Sequence, residues 1–262
     1  MSEDLSYFIK GMLKTRVMGR EIISVDETDS TNEDIMKLGQ KGGHEGWVVV
    51  ARRQRHGKGR RGKNWSSLGG QNLYVSVLLR PKMPVKKATF LTLLATVAVA
   101  ETLSDYIPKG VFIKWPNDVM VSDKKISGIL LEMSKDAAGE EFFVLGVGIN
   151  VNCTRRDVPA ELTEIATSLY LELGYSVSVK DVLFKLLNRL DHGYALYLAS
   201  DFDSIISRFR AFEQTTGRRV FVNVAGAQIS GHAVGIDDDG FLLVQDDNGT
   251  ISKVISGDLQ FE

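Results

Sequence analysis

Between two apolar runs, the stretch from Arg53 to Lys63 carries six Lys or Arg, three glycines and His56. Glycines at 57, 59 and 62 remove the Cβ and admit positive φ, so the backbone can wrap closely around a ligand with its N–H groups turned inward. Lys58, Arg60, Arg61 and Lys63 add positive charge, which suits a phosphate or a developing oxyanion. The chemistry this stretch offers is the holding and neutralising of an anion. Charge along the chain is uneven in the same sense. The net charge is −1, yet Trp47 to Ala100 contains eleven Lys or Arg and no Asp or Glu, as a small anionic ligand would require.

Other readings of the cluster are weaker. Gly57-x-Gly59-x-x-Gly62 has the spacing of a dinucleotide fingerprint, but that motif needs a helix opening at its third glycine. Here Lys63-Asn64-Trp65-Ser66-Ser67 leads to a second apolar run instead. A solvated loop without a role and a nucleic-acid patch are the remaining readings, and neither accounts for the motifs that follow.

The elements that must position these residues can be read from periodicity. Trp47–Ala51 and Asn72–Leu79 read as buried strands, so the cluster is a loop between them. Ile22–Asp26 is a short strand, and Asp29-Ser30-Thr31-Asn32-Glu33 predicts a capping box opening a helix to about Gln40. Such a helix start is also a site for the polar end of a ligand. Beyond Pro81 and Pro84, apolar spacing predicts a core helix over Val85–Tyr106. Val111–Asp118 reads as a strand ending in the turn Trp115-Pro116-Asn117-Asp118, followed by strands Val119–Val121 and Ile126–Met133. Lys125 should project from a rigid element, with Lys124 on the opposite face and solvated. In the strand Phe142–Val151, Gly146 and Gly148 mark close approach by a ligand or another backbone. Residues 154–212 read as helical, most clearly over Val179–Tyr197 and Asp201–Phe212. From Gly217 the strands Arg219–Val224, Gln228–Ile236, Gly240–Val244 and Ile251–Ile255 predict a small barrel, separable enough that truncation at Gly217 leaves a folded remainder.

Composition sets the outer bounds. A chain of 262 residues with 44% hydrophobic and 25% charged residues has the make-up of a soluble globular protein: one large domain with a small appendage. The single Cys153 excludes an internal disulfide framework and suits the cytoplasm. The apolar stretch Phe90–Leu103 is too short to span a bilayer. Histidines 44, 56, 192 and 232 have no metal-ligand spacing. Residues 1–19 hold at most one short helix, Leu5–Lys14, too little for a helix-turn-helix module.

Four motifs, in order across residues 20–152, together resemble the biotin protein ligases, or biotin–[acetyl-CoA carboxylase] ligases. They are Asp29-Ser30-Thr31-Asn32, the run Gln54 to Trp65, Lys114-Trp115-Pro116-Asn117-Asp118 with Lys125-Ile126-Ser127-Gly128-Ile129-Leu130, and Gly146-Val147-Gly148-Ile149-Asn150. The resemblance implies an α+β fold, with a mixed-sheet, class II synthetase-like catalytic domain over 1–215 and an SH3-like β-barrel over 216–262. It implies that biotin reacts with Mg-ATP to give biotinyl-5′-adenylate, which then acylates a lysine of a biotin carboxyl carrier protein domain of a carboxylase. Biotin would meet Ser30, Thr31, Asn32, Gln54, Gly57, Lys58, Arg60, Lys125, Gly128 and Gly148. ATP and the adenylate would meet Arg60, Arg61, Trp65, Asn117, Lys125 and Asn150, and Lys125, Arg60 and Asp118 would be catalytic. Mg²⁺ would arrive with ATP, without a side-chain metal cluster.

Within this family, the short N-terminus implies a monofunctional cytoplasmic ligase with no specific DNA target and no membrane contact, and a homodimer is one of the family's states. Lys58 replaces the usual arginine and so lacks its bidentate fork, and Arg55-His56 replaces smaller or neutral residues. The rival readings are a lipoate ligase or octanoyltransferase of the same fold and a non-enzymatic nucleic-acid binder. No neighbouring pattern marks Cys153 as an activated nucleophile.

Overall fold

The computed structural model describes residues 11, 13–67, 71–224 and 227–262. The helix expected over Leu5–Lys14 falls largely outside them. Seven strands form one sheet: Glu21–Thr28 (β1), Trp47–Gln54 (β2), Leu73–Leu79 (β3), Val111–Lys114 (β4), Asp118–Val121 (β5), Lys124–Lys135 (β6) and Glu141–Ile149 (β7). Their order is β1-β2-β3-β7-β6-β5-β4. β1 and β2 run parallel because a helix, Thr31–Gln40 (α1), carries the chain back between them. The remaining neighbours are antiparallel, so the sheet is mixed, as expected.

Strand parity sorts side chains to two faces. Leu73, Val75, Val77 and Leu79 of β3 join the main core, with Leu145, Val147 and Ile149 of β7. That face is covered by Thr89–Ser104 (α2), with Val179–Leu198 (α4) and Phe202–Phe212 (α5) packed on it in turn. The short helix Leu169–Leu173 (α3) precedes them. Because α2 lies between the sheet and the outer helices, it is apolar on all sides rather than on one stripe. Its length and composition would suit a bilayer, but two-thirds of it is buried inside the protein. On the opposite face Ile35 of α1 packs with Val49, Leu78, Phe142 and Val144.

Two helical expectations are corrected. The chain from Val85 makes a 3-10 turn, Val85–Lys87, before α2 starts at Thr89. Residues 152–168 are mostly irregular, with one 3-10 turn at Ala160–Leu162, since Asp157 accepts bonds from the Thr154 N–H and hydroxyl and favours a turn over a helix.

The C-terminal strands Arg219–Val224 (β8), Ala227–Ile236 (β9), Leu242–Gln245 (β10), Ile251–Val254 (β11) and Asp258–Phe261 (β12) form an antiparallel sheet in the order β11-β10-β9-β8-β12. β12 is the strand the sequence reading missed; with four residues it offers too little alternation to register. The indole N–H of Trp115 donates to the Gly240 carbonyl at 3.0 Å, and a Cβ at Gly240 would come within 2.5 Å of Leu93. This hairpin turn therefore seats directly on α2. Val220, Val222, Leu242 and Val244 belong to the same continuous core as α2 and α4.

Candidate functional site

The face of the sheet that α1 leaves open is a floor built from glycine. Register pairs Ser76 with Gly146, Gly146 with Leu130, Tyr74 with Gly148 and Gly148 with Gly128. A Cβ on Gly146 would lie 2.1 Å from Asn32 Oδ1, and Cβ atoms on Gly148 and Gly128 would lie 2.7 and 2.8 Å from the Trp65 ring. Glycine is thus required where the start of α1 and the indole of Trp65 descend on the strands.

The start of α1 does not form the expected capping box. Ser30 is the N-cap residue, yet its side chain makes no cap bond, because Gln54 Oε1 from β2 takes the Thr31 N–H at 2.8 Å and the Thr31 hydroxyl at 3.0 Å. Glu33 instead pairs with Lys58 at 2.8 Å. Ser76 Oγ lies 2.7 Å from Thr31 Oγ1 and 2.6 Å from Asn32 Oδ1, and Asn32 Nδ2 donates to Glu132 at 2.7 Å. Ser76 and Glu132 were not singled out from sequence, because both sit in strands whose only signal was apolar alternation.

The basic loop folds over this floor as a narrow hairpin. The His56 N–H donates to the Asp29 carbonyl at 2.9 Å and the Trp65 N–H to Gly57 O at 2.8 Å, while the Gly59 N–H donates to Lys63 O at 2.7 Å. Gly57 does not line the cavity; it is needed because a Cβ there would meet the Trp65 carbonyl at 2.5 Å. Asp29 anchors the loop base through Arg55 at 2.8 Å and His56 at 3.2 Å, and their hydrogen bonds hold its carboxyl below the usual range. Arg60 turns inward and donates to Asn117 Oδ1 at 2.6 Å, while Asn117 Nδ2 donates to Ile129 O at 2.9 Å. Arg61 turns outward to the C-terminal sheet, away from the nucleotide contact expected of it.

Lys125 reaches the floor through a bulge. Pairing shifts between Val119/Ser127 and Met120/Lys125, leaving one extra residue, Ile126. This reverses parity, so Lys125 faces the same side as Gly128 and Leu130 while Ile126 enters the core. Lys125 Nζ stands 2.6 Å from Asp118 Oδ1 and 5.3 Å from the centroid of the Trp65 ring. Lys124 is not freely solvated as expected: its amine donates to Thr163 O at 3.0 Å. Lys114, at the end of β4, stacks on Phe261 at 5.2 Å. Burial pulls its pKa below the ordinary lysine range; Asp118 opposes the shift, and Lys125 and Lys63 add to it.

Two cavities share one wall. The first brings together Ser30, Thr31, Asn32, Gln54, Lys58, Arg60, Asn117, Lys125, Gly128 and Gly148 with Trp65. The second, about 270 Å³, is lined by Asn150, Ile165, Ala166 and Leu162 together with Trp65 and Lys125. Asn150 Nδ2 donates to Thr167 O at 3.0 Å, while its Oδ1 and the Trp65 Nε1 are buried without a hydrogen-bond partner. Buried orphans of this kind need an explanation, and a ligand group supplies one. Among the described residues, no group of three or more His, Cys, Asp or Glu could hold a metal ion.

A layered α/β enclosure with paired cavities around one lysine is the form of an acyl-activating ligase, and comparison with known proteins gives the same class. Residues 24–152 match the Biotin/lipoate A/B protein ligase family and residues 215–261 the Biotin protein ligase C terminal domain. The bifunctional ligase/repressor BirA of Bacillus subtilis is 35% identical over 248 residues, covering 95% of this chain and 76% of that protein. The biotin–[acetyl-CoA-carboxylase] ligase of Mycobacterium tuberculosis is 33% identical, covering 92% of this chain and 88% of its own. The solved biotin protein ligase of Aquifex aeolicus, in complex with biotin and ATP, superposes with a TM-score of 0.79 at 32% identity, over 93% of this chain and 99% of that one. The chain belongs to the biotin protein ligase family.

Proposed function

We propose that this protein joins biotin to ATP as biotinyl-5′-adenylate and then passes biotin to one lysine of a biotin carboxyl carrier protein domain. The observation that carries the reading is Lys125, a single cation bordering both cavities. In the first step a biotin carboxylate oxygen attacks the α-phosphorus and pyrophosphate leaves. Both reactants are anions, so placing a fixed positive charge between them, with Arg60 beside it, accounts for most of the acceleration. A carboxylate nucleophile needs no general base.

Ser30, Thr31 and Gln54 face the polar ureido end, while Gly128, Gly146 and Gly148 leave room for the ring and chain. The nucleotide base occupies the second cavity, where the unpartnered Asn150 Oδ1 accepts from the exocyclic amine of adenine. Guanine carries a carbonyl at that position and would leave two acceptors facing each other. In the second step the acceptor amine attacks the acyl carbon and AMP leaves. That amine must be neutral, and Asp118 orients or deprotonates it. Mg²⁺ enters on the ATP phosphates. The Asp118 carboxylate, whose Oδ1 accepts no hydrogen bond, is the oxygen ligand that suits a hard cation, and the ion would neutralise phosphate charge. The same reading makes the protein a cytoplasmic ligase without an operator-binding role. ATP–pyrophosphate exchange measured in turn with biotin, lipoate and octanoate tests it: exchange with biotin is expected, and exchange with lipoate but not biotin removes it.

A further inference from the structure

Arg61 sits at the tip of the basic loop in a left-handed backbone conformation, φ 54 and ψ 39, which a side chain seldom adopts. That turn sends adjacent arginines in different directions. Arg60 enters the first cavity and donates to Asn117. Arg61 leaves it and donates to the Asn223 carbonyl at 2.6 Å, near the end of β8, and to the Ser256 carbonyl at 3.1 Å, between β11 and β12. Two residues further on, Lys63 Nζ pairs with Asp258 of β12 at 2.9 Å. The other end of the C-terminal sheet is fixed to the catalytic domain, by Trp115 to Gly240 at 3.0 Å and by Arg210 to the Ile236 carbonyl at 2.6 Å. The sheet is therefore a firm post, and the loop tip is tied to it by a planar fork that spans two carbonyls, a geometry a lysine could not reproduce.

We propose that Arg61 is a positioning residue. By gripping the Asn223 and Ser256 carbonyls it holds the loop tip down, so that Arg60 stays seated in the cavity before any ligand arrives, and it makes no contact with the nucleotide. The inference deepens the ligase reading and rests on it for the identity of the ligand. Amide hydrogen exchange of the ligand-free, full-length enzyme reads the device without substrate, so failure of the latch and failure of the ligase reading give different signatures. In Arg61→Ala, the loop-closing amides of Gly59, Lys63 and Trp65 should exchange about tenfold faster, the scale of losing one charge-assisted hydrogen bond. Biotin affinity measured without ATP should fall by about the same factor. Arg61→Lys should restore little of either. Asp258→Asn, which loosens the contact from the sheet side, should move the same amides in the same direction by a smaller factor. Wild-type exchange in both Arg61→Ala and Asp258→Asn, with only the KM for ATP raised, would make Arg61 a nucleotide contact and overturn the proposal.

Discussion

Lys125 is the residue on which the chemistry turns, and its surroundings make the consequence of losing it specific. Lys125→Ala should slow adenylate formation by about 10²–10³-fold, the scale of removing one oxyanion donor. Pre-formed biotinyl-adenylate should restore much of the transfer, because repulsion between the two anions has already been overcome. Single-turnover kinetics of the two half-reactions check both statements. Lys124→Ala should react near the wild-type rate, since its amine is committed to the Thr163 carbonyl. Lys114 gives a pH signature. Its folded pKa lies below the model value of 10.5, so between the two values the unfolded chain binds the more protons and stability rises with pH. Below that window the penalty of the buried charge is fully present. Urea midpoints across the alkaline range should therefore climb more in the wild type than in Lys114→Met. The identity of these lysines was legible in the sequence through their motifs. The bulge that aims Lys125 was not, because parity along a strand depends on pairing with a distant partner. The outward turn of Arg61 was hidden for the same reason, as it depends on carbonyls more than 160 residues away.

At the level of elements, the floor of β6 and β7 works by what it lacks. Gly148→Ala would push a methyl group to 2.7 Å from the Trp65 ring, an overpacking that typically costs about 1–3 kcal/mol. Because Trp65 walls both cavities, affinity for biotin and for ATP should fall together in titration calorimetry, whereas Asn150→Ala should weaken ATP alone. Glycines inside an apolar strand were readable as a site of close approach, and the structure supplies Asn32 and Trp65 as what approaches. Where elements were misread, a local preference lost to a distant partner. Ser30 and Glu33 have the spacing of a capping box, but Gln54 and Lys58 compete for the same groups and win. Residues 154–168 carry enough apolar residues to suggest a helix, yet the turn built on Asp157 and the Pro159 that follows it set another path.

Viewed as a whole, the molecule is less divisible than its sequence suggested. Short strands after Gly217 implied an appendage that could be removed, but Trp115 is only 2% exposed and Leu93 is fully buried with that sheet in place. Truncation at Gly217 would uncover both and cut the loop's tether, so the product should bind hydrophobic dye and aggregate; gel filtration and circular dichroism check this. Because β8 and β10 share one continuous core with α2 and α4, the chain should melt in a single calorimetric transition rather than two. A substrate clasped by the basic loop then stabilises every residue that must come apart with it. Amides deep in the C-terminal sheet, far from any reacting atom, should thus become slower to exchange when biotin and ATP are present, so that the tail of the chain reports whether the site at its front is occupied.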